Sequence, residues 1–254
     1  MPLITSRIPF TPQNPYRPIR PASDKIIFLS FEGSVTEEEY FDRITELFDE
    51  VKTRIQFISV AEDAVHTFHK KRTPEQVEML SKSRPKQLVE RIFQFKEEKE
   101  AIYQFSKYPN DEFWIVTDVD NNWSDEWIEE WNDAIRICEE NGYGYAISNP
   151  FFEIWLLLHH LESTDEDKAY AVTETHSYEP TSHFRDRLRE AGVPMKDRKH
   201  IVAEHYGKEG IYQAVNRAKE LHVNKEDKCP KYFATTVYLL LEKIFQIIEQ
   251  NKEI

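Results

Sequence analysis

Apolar positions cluster into short runs separated by amphipathic stretches from residue 25 onward. Lys25-Ile26-Ile27-Phe28-Leu29-Ser30-Phe31 has no polar alternation and ends at Glu32-Gly33. It predicts a strand buried on both faces. Beyond Gly33, Thr36 suits an N-cap, and Glu37 to Glu39 place acids in a first turn, where the helix dipole favours them. Tyr40, Phe41, Ile44, Leu47 and Phe48 then recur at helical spacing, predicting an amphipathic helix to about Lys52. Arg54 to Val60 reads as a second strand, and Pro74 to Lys107 as a helical region broken at Pro85. Phe113 to Thr117 is a third strand, running into Asp118-Val119-Asp120. Ser124 can cap the next helix, with Trp127, Ile128, Trp131, Ile135 and Cys138 as its inward stripe. Tyr143 to Ile147 is a fourth strand, and Pro150 suits the first turn of an apolar helix over 151–161.

Strand and helix thus alternate from 25 to 161, which predicts an α/β fold of three layers with a mainly parallel, four-stranded sheet. The rest reads helical, over about 181–191, 209–222 and 233–250. The first 22 residues hold six of the thirteen prolines and read as an extended arm. The expected organisation is an arm over 1–22, an α/β core over 23–165 and a helical extension over 166–254 packed on it as one globular unit. No internal repeat is visible.

Composition narrows the class. The chain has 254 residues, 40% of them hydrophobic, enough for a substantial core. Mean hydropathy is −0.66 and no apolar run approaches the length of a membrane span, so none is expected. The N-terminus has no apolar segment of the secretory kind, and two cysteines, Cys138 and Cys229, suit a reducing cytoplasm rather than a disulfide framework. The net charge of −13 counts at first against a nucleic-acid binder, because phosphate neutralisation needs Lys and Arg. The charge is unevenly spread, however: −19 over residues 23–180 and +4 over 181–231. A basic surface beside an acidic site is compatible with that division.

Several chemistries find no support. With six glycines there is no P-loop, and Gly142-Tyr143-Gly144 lacks the third glycine of a dinucleotide fingerprint. No nucleophile-elbow sequence occurs, and His66, His69 and His159-His160 do not form a metalloprotease-type pair. The carboxylates say more, because function in such sheets sits beyond the carboxyl ends of the strands. Glu32 follows strand one, Asp118 and Asp120 end strand three on a shared face, and Glu153 opens the helix after strand four. Carboxylates gathered at one edge raise one another's pKa unless a cation neutralises them, and oxygen-only ligands suit Mg²⁺ or Mn²⁺. Each also has an ordinary role: Glu32 and the two aspartates in turns, Glu153 at a helix dipole.

These residues resemble a known family. Glu32-Gly33, followed by Thr36-Glu37 and Tyr40-Phe41, is similar to the opening of RloB-like proteins, and Asp118-Val119-Asp120 to their Asp-x-Asp strand end. The most specific match is Ser148-Asn149-Pro150-Phe151-Phe152-Glu153-Ile154-Trp155-Leu156-Leu157-Leu158-His159. Thr235-Thr236-Val237 fits the family's ending loosely, and the resemblance spans about residues 24–250.

The resemblance implies a Toprim-like fold, shared with topoisomerases, DnaG-type primases and OLD-type nucleases, and a setting in bacterial defence and abortive infection. It implies a metal-dependent nuclease in which Asp118 and Asp120 bind Mg²⁺ or Mn²⁺, Glu32 is a general acid/base or further ligand, and Glu153 is a ligand or orients the site. Lys199, in a basic stretch, is the candidate for stabilising charge on the attacked phosphate. DNA or RNA would be the substrate, an ATPase a possible partner, and homo-oligomerisation stays open. Two other readings fit the same residues: a non-catalytic Toprim-like adaptor that binds a partner ATPase, and metal-dependent phosphoryl transfer on tRNA or nucleotides.

Overall fold

The computed structural model describes residues 25–33, 35–52, 54–58, 85–119, 125–172, 183–197 and 199–250. The proline-rich arm, Lys70-Lys71-Arg72, the histidines at 66 and 69, Asp120 and Ser124 lie outside them. The elements in chain order are β1 (Ile27–Phe31), α1 (Thr36–Leu47), β2 (Ile55–Ile58), α2 (Pro85–Tyr103), β3 (Glu112–Asp118), α3 (Asp125–Asn141) and β4 (Gly144–Asn149). They continue with α4 (Glu153–Leu158), α5 (Asp165–Val172), α6 (His183–Glu190), α7 (Lys208–Leu221), β5 (Ala234–Thr235) and α8 (Val237–Gln250).

The sheet order is β2-β1-β3-β4-β5. β1 pairs in parallel with both β2 and β3, and β3 in parallel with β4. The four-stranded expectation is corrected by β5, which pairs antiparallel with β4 (Ser148↔Thr235) and adds a fifth strand. Two residues are too few to show a strand period. They are held by the Thr236 amide donating to the Ile147 carbonyl at 2.8 Å and by the Thr236 hydroxyl accepting from the Ile147 amide at 2.8 Å.

Alternation along the strands explains the layers. Ile27, Leu29 and Phe31 of β1, with Trp114 and Val116 of β3, face a cluster built from α1, α4, α6, α7 and α8. Ile26, Phe28, Phe113 and Ile115 face the opposite way, onto α2 and α3. Phe28 sits at the centre of that layer, stacked on Phe113 at 5.0 Å and edge-on to Tyr103 at 5.0 Å. A sheet buried on both faces needs no polar alternation, which is why its strands read as continuous apolar runs. On α3, Trp131, Ala134 and Cys138 are buried, whereas Ile128, expected inward, is 38% exposed.

Three further boundaries differ from expectation. The 151–161 helix begins at Glu153, with Pro150 in the bend before it rather than in its first turn. The final helix begins at Val237, its first expected residues being taken by β5. The N-cap of α1 is Val35 rather than Thr36, whose hydroxyl is used elsewhere.

Candidate functional site

The chain runs from β1 outward to β2 and then crosses back to β3, so the strand order reverses between β1 and β3. Crevices outside the carboxyl ends of parallel strands form at such a reversal. Glu32 leaves β1 there and Asp118 ends β3.

The Glu32 carboxylate is fixed by its neighbour strand. Its Oε2 accepts from the Thr117 hydroxyl at 2.5 Å and from the Asp118 amide at 2.9 Å, while its own amide donates to the Val116 carbonyl at 2.9 Å. Beneath it lies Arg91 of α2, only 5% exposed, donating from Nη1 to the Phe31 carbonyl at 3.0 Å. Burial pushes the Arg91 guanidinium down to about 10, and the Glu32 charge acts against that shift. Arg91 therefore remains a cation at neutral pH and supplies positive charge behind the glutamate.

Beside Glu32 opens a cleft of about 170 Å³ lined by Gly33, Glu37, Asp118, Phe152, Glu153, Arg185 and Lys199, among others. Glu153 is buried, and its Oε1 accepts from Arg185 Nε at 2.7 Å and Nη2 at 2.6 Å. Glu37 is buried as well, folded back over Gly33: a Cβ at that glycine would lie 2.4 Å from Glu37 Oε2. The missing side chain at residue 33 is what lets this carboxylate reach the cleft.

Lys199 arrives from far along the chain. The Thr36 hydroxyl donates to its carbonyl at 2.7 Å. Glu39 accepts from the Ile201 amide at 2.9 Å and pairs with His200 Nδ1 at 2.5 Å. A tight turn, closed by Lys196 and His200 donating to each other's carbonyls at 2.7 and 2.9 Å, presents the lysine. Asp197 takes the left-handed conformation this turn requires (φ 46°), which a short polar side chain tolerates.

Of the sequence-predicted residues, Asp118, Glu153 and Lys199 line one cleft. Glu32 stands at its edge, bonded to the Asp118 amide. Asp120 lies outside the described residues. Sequence reasoning missed Glu37, Arg185, Thr117 and Arg91 as parts of the site. Glu37 had a signal in Gly33 four residues earlier, but acids in a first helical turn are ordinary. Arg185 belongs to the basic segment already noted, although its pairing with Glu153 has no local signature.

The chemistry of the set is hard oxygen from carboxylates beside two cations, with no cysteine or histidine on the wall, which is the donor type that suits Mg²⁺ or Mn²⁺. Among the described residues no group of three or more candidate ligands already converges at coordination distance. Among the described residues, such an ion would be held by Asp118 with Glu32 or Glu37. Among the described residues, no helix is long and apolar enough to cross a membrane.

A model of the RloB-like protein family matches residues 27–244 of the chain. No curated protein and no solved structure matches it.

Proposed function

Since the chain belongs to the RloB-like protein family, we propose that it is a metal-dependent nuclease acting in bacterial defence, with a Toprim-like use of the β1 and β3 ends. The observation that carries this reading is the cleft itself: Asp118, Glu153 and Glu37 share its wall with Lys199 and Arg185 at the carboxyl ends of the parallel strands. A phosphodiester carries negative charge that grows in the transition state, so a site for its hydrolysis needs carboxylates for proton transfer and cations for that charge.

In this reading a bound Mg²⁺ or Mn²⁺ supplies Lewis acidity toward the phosphate oxygen. Asp118 is its principal ligand. Glu32, held by Thr117 and the Asp118 amide, takes the proton from the attacking water. Lys199 offsets charge on the attacked phosphate. Arg185 holds Glu153 in place, so that Glu153 orients the site rather than moving through it. The cations within the basic segment 181–231 give the substrate backbone its path, and the acidic first two-thirds keep it localised there.

The test is incubation of the purified chain with panels of DNA and RNA in Mg²⁺ or Mn²⁺, beside Asp118→Ala and Glu32→Gln. Cleavage by the wild type and its loss in both variants is expected. Cleavage that survives both substitutions removes the site assignment. Absence of cleavage and of metal binding throughout replaces the nuclease with the non-catalytic adaptor.

A further inference from the structure

A second cleft, of about 500 Å³, opens at the far end of α4 from Glu153, lined by His159, His160, His205, Gly207, Glu209 and Gly210, among others. We propose that this cleft binds a phosphate-type anion, held between the N-terminus of α7 and the three imidazoles. The inference does not rest on the nuclease reading.

Helix α7 has 14 residues, and its N-cap is Gly207, with no side-chain cap. Its first-turn amides therefore lack helical partners, and the positive end of its dipole faces the cleft wall formed by Gly207 and Gly210. An independent observation comes from α4. His159 is 2% exposed, and its Nε2 is engaged with the Tyr40 hydroxyl at 3.1 Å. Its Nδ1, on the cleft side, has no hydrogen-bond partner among the described residues, and neither has the buried Nε2 of His160. Two buried ring nitrogens without partners are costly unless something enters the cleft to meet them.

The electrostatics agree. Burial, then the His205 and Arg217 charges, lower the pKa of His160; burial, then His160 and Arg217, do the same to His159. Burial is the first cause of both shifts; repulsion among the imidazoles and Arg217 adds to it, and a bound anion relieves that second part. Glu209 also lines the cleft and acts against the anion, but it is exposed, where water screens it. The ligand also needs close approach to the α7 backbone. A Cβ at Gly210 would sit 3.3 Å from His159 Nδ1 and narrow the cleft at that point. Tetrahedral oxygens match this mixed set of backbone and imidazole donors, and the cleft has room for more than the phosphate group alone.

The experiment is side-chain imidazole NMR of the full chain during titration with inorganic phosphate, a nucleoside monophosphate and a short single-stranded oligonucleotide. Saturable shifts of His160 and His205 are expected, with the His160 pKa raised at saturation. His205→Ala and Gly210→Ala should each weaken binding by about tenfold or more. Whichever probe binds tightest names the source: free phosphate, nucleotide or nucleic-acid backbone. No saturable shift with any of the three, or an unchanged response in both variants, overturns the proposal.

Discussion

Arg185 grips a single oxygen of Glu153 with two of its nitrogens, Nε at 2.7 Å and Nη2 at 2.6 Å. The glutamate side chain is 7% exposed and the arginine 32%, so the pair sits across the boundary between core and cleft. Arg185→Ala leaves a buried carboxylate uncompensated. Because the arginine is partly in water, the expected loss is about 2 kcal/mol, below the range for fully buried pairs. Glu153→Gln in the same background should recover part of that loss. Urea denaturation at pH 7 of the two single variants and the double variant tests it; strictly additive losses would show that the residues are not coupled.

Thr117 is 1% exposed, and its hydroxyl holds Glu32 from the neighbouring strand. Thr117→Val keeps the shape and removes the donor. Stability should fall by about 1 kcal/mol. On the proposed nuclease reading, cleavage should fall about ten- to hundredfold, as when an orienting partner of a metal-site carboxylate is lost. Thermal melts and cleavage assays on the same preparation separate the two effects. Unchanged cleavage would show that the hydroxyl does not position Glu32.

Gly144 approaches Trp114 so closely that a Cβ would lie 2.2 Å from the indole. The ring cannot swing aside cheaply, because its Nε1 donates to Glu112 at 3.0 Å and Glu112 is itself paired with Lys25. Gly144→Ala is expected to cost about 2–3 kcal/mol through overpacking. Gly142, two residues earlier, has open space around its Cβ position and carries only a φ of 68°, so Gly142→Ala should cost about 1 kcal/mol. Equal losses at the two glycines would contradict the packing argument.

Stability should also fall in mild acid. Burial, the neighbouring imidazole and Arg217 hold His159 well below its ordinary 6.5, and His160 is lowered by burial, His205 and Arg217. Below pH 6.5 the unfolded chain then binds more protons than the folded one, so unfolding free energy rises with pH across that window and levels off above it. His160→Gln should make the slope between about pH 6.5 and 5 shallower. Asp167 contributes in a separate window. Burial raises its carboxyl, but the Thr164 amide, His183 and Arg187 outweigh that and hold it below 3.8. Its contribution is present above 3.8 and is lost only as pH falls further. Denaturation curves at half-unit pH steps distinguish the two windows.

The strands were legible because a sheet covered on both sides demands largely apolar runs, and β1 and β3 have them. Helix α5 was not: over Asp165–Val172 it shows little apolar periodicity, and its anchor is polar, the buried Asp167 holding Thr164, His183 and Arg187. Asp118 and Glu153 could be placed from strand ends alone. Lys199 could only be guessed, since the Thr36 hydroxyl that tethers it is 163 residues away in sequence. The same hydroxyl explains why the N-cap expectation failed: a side chain that donates to Lys199 is not free to cap α1. Such long-range pairings leave no local period to read.

The origin of the cleft walls has a consequence for biosynthesis. Glu32, Glu37 and Asp118 leave the ribosome early, whereas Arg185 and Lys199 follow only in the last third of the chain. One hydrophobic cluster joins β1 to α8, so the early half cannot bury its own sheet face before the late helices emerge. A partly synthesised chain therefore carries the acidic half of the cleft without its cations. If the protein cuts nucleic acid, the nascent polypeptide is harmless to the transcript and transfer RNAs around it until Arg185 and Lys199 have been made.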